Sequence, residues 1–279
     1  QPEVITRFVD QLMVYTERWT KAEIRKLPEG AFTAEAFCDD DGFSDEPLRV
    51  RMTVAIRDGH ITVDPTGTVE QRRSPINCTR PMTKCCLAYV TRCLVDDRIP
   101  VNDGFLNCID VVGPDGLVCT AMRPAAVVGG WEMGQRVVEV IFKALHPALP
   151  ERIPAAGKGL IVNIGFGGHS PITGEYFCYM ETIAGGNGAR PGKDGPDAVQ
   201  TNLHNTENAP IEEVELNYPI RVTRYELIED SAGPGTWRGG HGVRRDFAFP
   251  YSECQFTVMS DGRKFPPWGY EGGGEARPA

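Results

Sequence analysis

A polar, glycine-rich segment in the last third of the chain carries the residues best suited to chemistry. It covers residues 181 to 208, reads ETIAGGNGARPGKDGPDAVQTNLHNTEN, and directly follows the aromatic stretch FCYM. Its glycines permit backbone conformations that other residues avoid, so main-chain amides can approach a ligand closely. A solvated surface turn is the alternative interpretation, but the segment is too long for a simple hairpin, and long irregular loops are commonly functional. We therefore predict that this segment contacts a ligand.

Three side chains in or beside this segment could transfer protons, and they are His204, Asp194 and Glu181. Histidine titrates near neutrality, and a desolvated carboxylate can have its pKa shifted toward neutrality. A loop histidine that only satisfies backbone groups is the alternative for His204. We predict catalytic roles for all three residues.

Five further residues are predicted to bind substrate. Asn205 and Asn208 offer both donors and acceptors, which suits the edge of an amide or imide. Arg238, in TWRGGHGVRR, could hold a carboxylate or phosphate through two hydrogen bonds, although a tight turn between strands explains the same stretch. Gly186 and Gly188 would contribute backbone amides.

Other polar positions receive a weaker or purely structural interpretation. His169 and His241 each lie beside paired glycines and are secondary candidates, whereas His60 and His146 are predicted to be structural. Asn102 begins an Asn-Asp-Gly sequence, which favours a turn.

Composition and charge narrow the classes of function. The 279 residues carry a net charge of -9, which argues against a nucleic-acid partner because phosphates require a clustered basic surface. No apolar run approaches the roughly 18 residues of a membrane span, and the start, QPEVITRF, lacks the zones of a signal peptide. We therefore expect a cytoplasmic protein without membrane or nucleic-acid partners.

The nine cysteines do not form a metal-binding pattern. They lie in apolar surroundings without a CxxC pair, so most are expected to be buried free thiols. A zinc site built from Cys85, Cys86 and Cys93 is disfavoured because adjacent cysteines diverge on a helix. We assign no metal to this chain.

Apolar spacing predicts the elements that position these residues. Residues 1–27, 79–95 and 134–149 have helical spacing, and alternating stretches bounded by Asp-Gly turns predict strands from residue 30 onward. After Pro154 we predict strands in GLIVNIGFGG, GEYFCYMETIA, EEVELNYPIRVTRYELIED and DFAFPYSECQFTVMSD. Without a βαβ alternation, the pattern indicates an α+β fold, rich in strands, with mixed or antiparallel sheets and two or more packing helices. We expect two regions, residues 1–154 and 155–279, the second holding the glycine-rich loop.

Several phrases in a fixed order carry a family resemblance. They are VDPTGTVEQRRSPIN (63–77), DDRIPVNDGFLNCIDVVGPDG (96–116), RPAAVVGG (123–130), YMETIAGGNGARPGKDGPDA (179–198), HNTENAPIEEVE (204–215), RYELIEDSAGPGTWRGGHGVRRDF (224–247) and PPWGYEGGG (266–274). Together they resemble the hydantoinase B/oxoprolinase family, which is related to subunits of acetone and acetophenone carboxylases.

This resemblance implies a B-type subunit, or the C-terminal portion of one, within a larger multi-subunit enzyme. Such an enzyme would use ATP and a divalent metal to hydrolyse a cyclic amide such as a hydantoin, oxoproline or another lactam. ATP would be bound by a hydantoinase A-like subunit, and the absence of a P-loop here is consistent with that expectation.

The chain departs from the family pattern in one respect. Nothing in it corresponds to the N-terminal metal motif that the resemblance leads one to expect, so the metal is expected on a preceding segment or companion chain. Two alternatives stay open: a component of an ATP-dependent ketone carboxylase, and a non-catalytic structural half of such a complex.

Overall fold

The computed structural model describes residues 2–171, 173–250 and 253–278. Backbone contacts divide the chain into two compact units, Gln1–Ile153 and Pro154–Ala279, here called unit 1 and unit 2. Among the described residues, no helix combines the length and apolar character required to cross a membrane.

Unit 1 is built around a four-stranded sheet. Its strands lie in the order β1 (Gly30–Cys38), β2 (Leu48–Arg57), β3 (His60–Asp64) and β4 (Ile109–Val111). The first three strands pair antiparallel, and β4 pairs parallel to β3. Along β2, Val50, Met52 and Val54 are buried while their neighbours are exposed or half-buried, as the two-residue alternation predicts.

Four helices accompany this sheet: α1 (Pro2–Ile24), α2 (Arg80–Leu94), α3 (Asp103–Leu106) and α4 (Gly130–Leu145). Helix α4 packs against β1, β2 and α2, and it is buried on nearly every side. Its buried residues include Arg136 and Glu139, which form an ion pair at 2.8 Å. The apolar spacing of residues 1–27 correctly predicted helix α1. The apolar side chains in the first half of this helix are nevertheless exposed.

Unit 2 contains the glycine-rich segment and two smaller sheets. Its elements are β5 (Val162–His169), β6 (Tyr176–Ile183), α5 (Ile211–Asn217), β7 (Arg221–Leu227), β8 (Val243–Ala248) and β9 (Cys254–Met259). The strand order is β6-β5-β9 in one sheet, and β7 and β8 form a two-stranded sheet. A core of Ile164, Phe166, Tyr179, Val214 and Ile220 is covered by Phe247 and Phe249.

The α+β fold class is confirmed, with two local corrections. The EEVELN stretch forms helix α5, not part of a strand, since Pro210 precedes it as the capping residue and Glu212 and Glu213 occupy its first turn, where acidic residues are favourable. In GLVCTAM, only Leu117 makes an isolated bridge, to Glu70, instead of extending a strand. Five of the nine cysteines are buried, and all nine are free.

Candidate functional site

The end of β6 gathers a group of polar side chains. Glu181 is buried, and its Oε2 lies 2.6 Å from Nη1 of the buried Arg245 on β8. Its Oε1 accepts a hydrogen bond from the backbone N–H of Ala209 at 3.2 Å. Both carboxylate oxygens of Glu181 are therefore engaged by other groups of unit 2, which leaves this carboxylate poorly placed to take a proton from a ligand.

Arg245 is enclosed by aromatic rings. The centre of its guanidinium lies 4.8 Å from the ring of Tyr225 and 5.3 Å from the ring of Phe247, within the range of cation–π attraction. Its contact with Glu181 is close enough for an ion pair but has poor angles for a hydrogen bond, and Nε and Nη2 have no acceptor among the described residues. Within that part of the chain, Glu181 is the ionic partner of this buried positive charge.

Lys158 reaches the same strand end. Its Nζ donates hydrogen bonds to the carbonyl of Ile183 and, at 3.1 Å, to Oε1 of Gln200. Neither partner is charged, and burial lowers the pKa of Lys158 to about 8. This lysine remains mostly protonated at neutral pH, yet it releases its proton far more readily than an exposed lysine.

One ring nitrogen of His204 has no hydrogen-bond partner in the part of the chain that the structure describes. Its Nε2 lies 2.8 Å from Oγ1 of Thr206, whereas Nδ1 is buried and has no hydrogen-bond partner among the described residues. Burial first, and then the positive charge of Lys158, lower the pKa of His204. The imidazole is therefore neutral at pH 7 and able to accept a proton.

The two predicted asparagines differ. Asn208 donates through Nδ2 to the carbonyl of Thr182 at 2.7 Å, and its Oδ1 accepts from the hydroxyl of Tyr225 at 2.7 Å. Asn205 is exposed. Lys158, Glu181, His204, Asn208 and Arg245 are called the β6-end cluster below.

Asp194 and Arg238 belong to a second cluster. The exposed Asp194 accepts a hydrogen bond from the backbone N–H of Arg238 at 2.9 Å. The Arg238 guanidinium holds Asp197 through two contacts of 2.8 and 3.1 Å. Arg238 and the backbone N–H of His241 hold the pKa of Asp197 well below its usual range. The fork of Arg238 that was predicted to hold a substrate anion is thus occupied by Asp197.

The glycines of the long segment allow backbone to pass close to backbone. A Cβ added to Gly186 would lie 2.0 Å from the carbonyl oxygen of Gly240, and one added to Gly188 would lie 1.8 Å from that of Ala155. Gly195 is equally tight against the carbonyl of Asn187, at 2.1 Å. We call the crossing of residues 155–158, 185–190, 195–198 and 238–241 the glycine junction.

Hydrogen bonds hold the glycine junction together. The N–H of Gly240 donates to the carbonyl of Asn187 at 2.8 Å, and the N–H of Gly195 donates to that of Arg238 at 2.8 Å. Chain packing therefore explains why Gly186 and Gly188 are glycines. That the backbone amides of Gly186 and Gly188 also contact substrate remains a prediction.

The side chains that the structure describes do not offer the ligand set of a divalent metal site. Within residues 2–171, 173–250 and 253–278, no three His, Cys, Asp or Glu side chains come together as metal ligands would.

Three residues of these clusters were not predicted from the sequence, namely Lys158, Asp197 and Arg245. Asp197 lies close to Asp194 along the chain and could have been considered with it. Nothing in the sequence distinguishes a buried Lys158 or Arg245 from a surface cation.

Comparison with known proteins now defines the class of protein. The family model described as hydantoinase B/oxoprolinase matches residues 1–279, so the chain belongs to the hydantoinase B/oxoprolinase family. It is 38% identical over 275 residues to a protein of Pseudomonas sp. (strain NS671) that is provisionally named as the B-type subunit of a D-/L-hydantoinase. That match covers 95% of this chain and 46% of the relative.

Two further relatives carry more specific names. The chain is 34% identical over 261 residues to 5-oxoprolinase PfmaA of Pestalotiopsis fici, covering 92% of this chain and 19% of that protein. It is 27% identical over 274 residues to the beta chain of caprolactamase from Pseudomonas jessenii, covering 95% of this chain and 46% of that protein. The chain thus spans about half the length, or less, of these relatives.

Two solved structures share the fold. One is an ATP-dependent caprolactamase from Pseudomonas jessenii, with a TM-score of 0.79 and 24% sequence identity. The match covers 94% of this chain and 46% of the caprolactamase chain. The other is a nucleotide-free acetone carboxylase, with a TM-score of 0.79 and 18% sequence identity. The match covers 94% of this chain and 38% of the carboxylase chain. This chain therefore shares its α+β fold with part of each of these two longer enzyme chains.

Proposed function

We propose that this chain forms part of the B-type subunit of an ATP-dependent enzyme that hydrolyses a cyclic amide. Family membership supports this proposal, as do the names of relatives that act on hydantoin, 5-oxoproline and caprolactam, all rings closed through an amide bond. The observation that carries it is the neutral, partly unpartnered imidazole of His204 beside the buried ammonium of Lys158.

Opening an amide ring requires both acceptance and supply of protons. A general base removes a proton from the attacking water, and the leaving nitrogen must receive one. In the β6-end cluster, His204 is neutral and can accept a proton, whereas the Lys158 ammonium, with its pKa of about 8, can supply one. The cluster therefore offers both directions of transfer near neutral pH.

ATP and the divalent metal are proposed to act outside these residues. We assign ATP to a hydantoinase A-like companion subunit and the metal to a segment or chain other than residues 1–279. When bound, they would polarise and activate the amide carbonyl. The residues of unit 2 would then orient the ring and handle its protons.

A ketone carboxylase is the second candidate, favoured by the equal TM-score to acetone carboxylase. The test uses the full complex of this chain with its companion subunits. ATP consumption is followed with a panel of hydantoins, oxoproline, larger lactams and ketones, with and without bicarbonate. Consumption triggered by a cyclic amide supports the proposal, whereas a response only to ketone plus bicarbonate overturns it in favour of carboxylation.

A substitution at His204 tests the site. His204→Ala should lower kcat for the cyclic amide by about 10²- to 10⁴-fold, the usual contribution of general acid–base catalysis. His60→Ala, at a half-buried histidine on β3 of unit 1, serves as the matched control and should leave kcat unchanged. If the His204 variant assembles normally and turns over at the wild-type rate, His204 has no part in the chemistry.

A further inference from the structure

Asp197 and His241 form a pair that the β6-end cluster does not use. Nδ1 of the His241 ring lies 3.1 Å from Oδ1 of Asp197, and the backbone N–H of His241 donates to the same oxygen at 2.7 Å. Two contacts from one residue fix both the loop and the ring. The side chains are 26% and 30% exposed, so a ligand can reach them without unfolding the loop.

The charge on Asp197 determines which ring nitrogen carries the proton. Arg238 and the His241 N–H hold the pKa of Asp197 well below its usual range, so this carboxylate is ionised at neutral pH. An ionised carboxylate only accepts hydrogen bonds, and Nδ1 of His241 must therefore donate. In the neutral ring, Nε2 then holds the lone pair.

The Nε2 atom is available for chemistry. Among the described residues, none forms a hydrogen bond to Nε2 of His241. A histidine whose Nδ1–H is bound to a buried or half-buried carboxylate, with Nε2 free, is oriented as a general base is. Arg238 and the backbone N–H of His241 already donate hydrogen bonds to the Asp197 carboxylate. The imidazole ring of His241 is therefore not needed for that purpose.

Close backbone contacts hold the segments that carry this pair. The N–H of Gly195 donates to the carbonyl of Arg238, and a Cβ added to Gly240 would lie 2.0 Å from the carbonyl of Pro196. The residues on either side of Asp197 and His241 thus belong to the glycine junction. A ring held on such a support keeps its direction, and a general base requires a fixed direction.

We propose that His241, oriented by Asp197, is the general base that activates the attacking water in unit 2, and that His204 instead relays protons to its neighbour Lys158. This inference rests on the proposed cyclic-amide hydrolysis. The water O–H bond breaks, its proton moves to Nε2, and the water oxygen forms a bond to the amide carbon as the carbonyl π electron pair moves onto the carbonyl oxygen. That pair then re-forms the C=O bond and expels the nitrogen. When the C–N bond breaks, its electron pair stays on the nitrogen, which takes a proton from the Lys158 ammonium. The proton on His241 then leaves to solvent, and Lys158 recovers one from solvent.

Two substitutions separate this role from a structural one. In His241→Asn, the amide nitrogen replaces Nδ1 and keeps the hydrogen bond to Asp197, but no atom replaces Nε2. In the assembled complex we expect kcat to fall by about 10²- to 10⁴-fold with KM little changed. Asp197→Asn should also lower kcat, because Asp197 acts as a positioning residue. His60→Asn is the control.

A second measurement does not depend on activity. Nitrogen NMR of the full chain labelled at histidine should show His241 as the Nδ1–H tautomer, and Asp197→Asn should change that population. Wild-type kcat in a folded His241→Asn variant would overturn the proposal, as would an Nε2–H tautomer. If the wild-type complex hydrolyses no cyclic amide, the proposed function fails instead, and the tautomer alone then decides the geometry of the pair.

Discussion

Replacing Gly188 with alanine tests whether the glycine-rich loop is built for packing or for ligand contact. The new Cβ would lie 1.8 Å from the carbonyl oxygen of Ala155, whereas real Cβ contacts essentially never fall below 3.0 Å. That carbonyl cannot move freely, because the N–H of Ala155 donates to the carbonyl of Ala189 at 2.8 Å. The substitution must therefore separate the two segments.

The expected cost follows from these contacts. Forcing additional atoms into packed structure costs about 1–3 kcal/mol. Losing the hydrogen bond of Ala155 to Ala189 adds about 0.5–1.5 kcal/mol. We expect Gly188→Ala to lower the free energy of unfolding by about 1.5–4.5 kcal/mol, the sum of these two effects, measured by urea denaturation followed by circular dichroism.

Gly165→Ala is the matched control. Gly165 lies in β5, and the nearest atoms to an added Cβ, in Thr257 and Tyr179, are 4.0 Å away, which is ordinary contact. This variant should change stability by less than about 1 kcal/mol, the usual range for a substitution without a clash. If Gly188→Ala keeps wild-type stability while raising KM for the substrate, the packing explanation is wrong and the predicted ligand contact is favoured.

Two further predictions concern buried charge in unit 2. Arg245→Met should cost about 3–5 kcal/mol of unfolding free energy because it leaves Glu181 buried without its partner. Adding Glu181→Gln to this variant should recover much of that loss. The control is Arg244→Met, at a side chain that is 52% exposed, which should cost under about 1 kcal/mol. A single-variant cost no greater than that of Arg244→Met would contradict the pairing. Because the pKa of Lys158 is lowered in the folded protein, the folded state loses this proton at a lower pH than the unfolded state does. The free energy of unfolding of the wild type, relative to that of Lys158→Met, should therefore rise between pH 8 and about 10. Urea denaturation across that window checks the sign, and a flat difference would rule out the lowered pKa.

Much of the fold follows from apolar spacing. The predicted helix over residues 79–95 is α2, with Pro81 in its first turn, where a missing N–H costs least. The predicted face of the next helix, including Val137 and Leu145, is buried in α4. Spacing could not show that α4 is buried on its polar side as well, because that burial depends on which elements surround it.

The candidate site was less predictable, for a physical reason. The chemistry of a histidine or carboxylate depends on its partners, and those partners are distant in sequence, as Asp197 is from Arg238 and His241. Composition identified the segment that holds His204. It could not reveal that Lys158 would reach the end of β6, nor that Arg238 would already be occupied.

The glycine junction has a consequence for exchanging parts between relatives. Its segments touch through backbone atoms, so the residues near 186 and near 240 must be matched to one another in shape. A chimera that takes residues 181–208 from one family member and keeps residues 224–247 of another would combine backbones that never folded together. Recombination meant to alter substrate preference should therefore move both stretches as one block, and diversification should begin at outward positions such as Asn205.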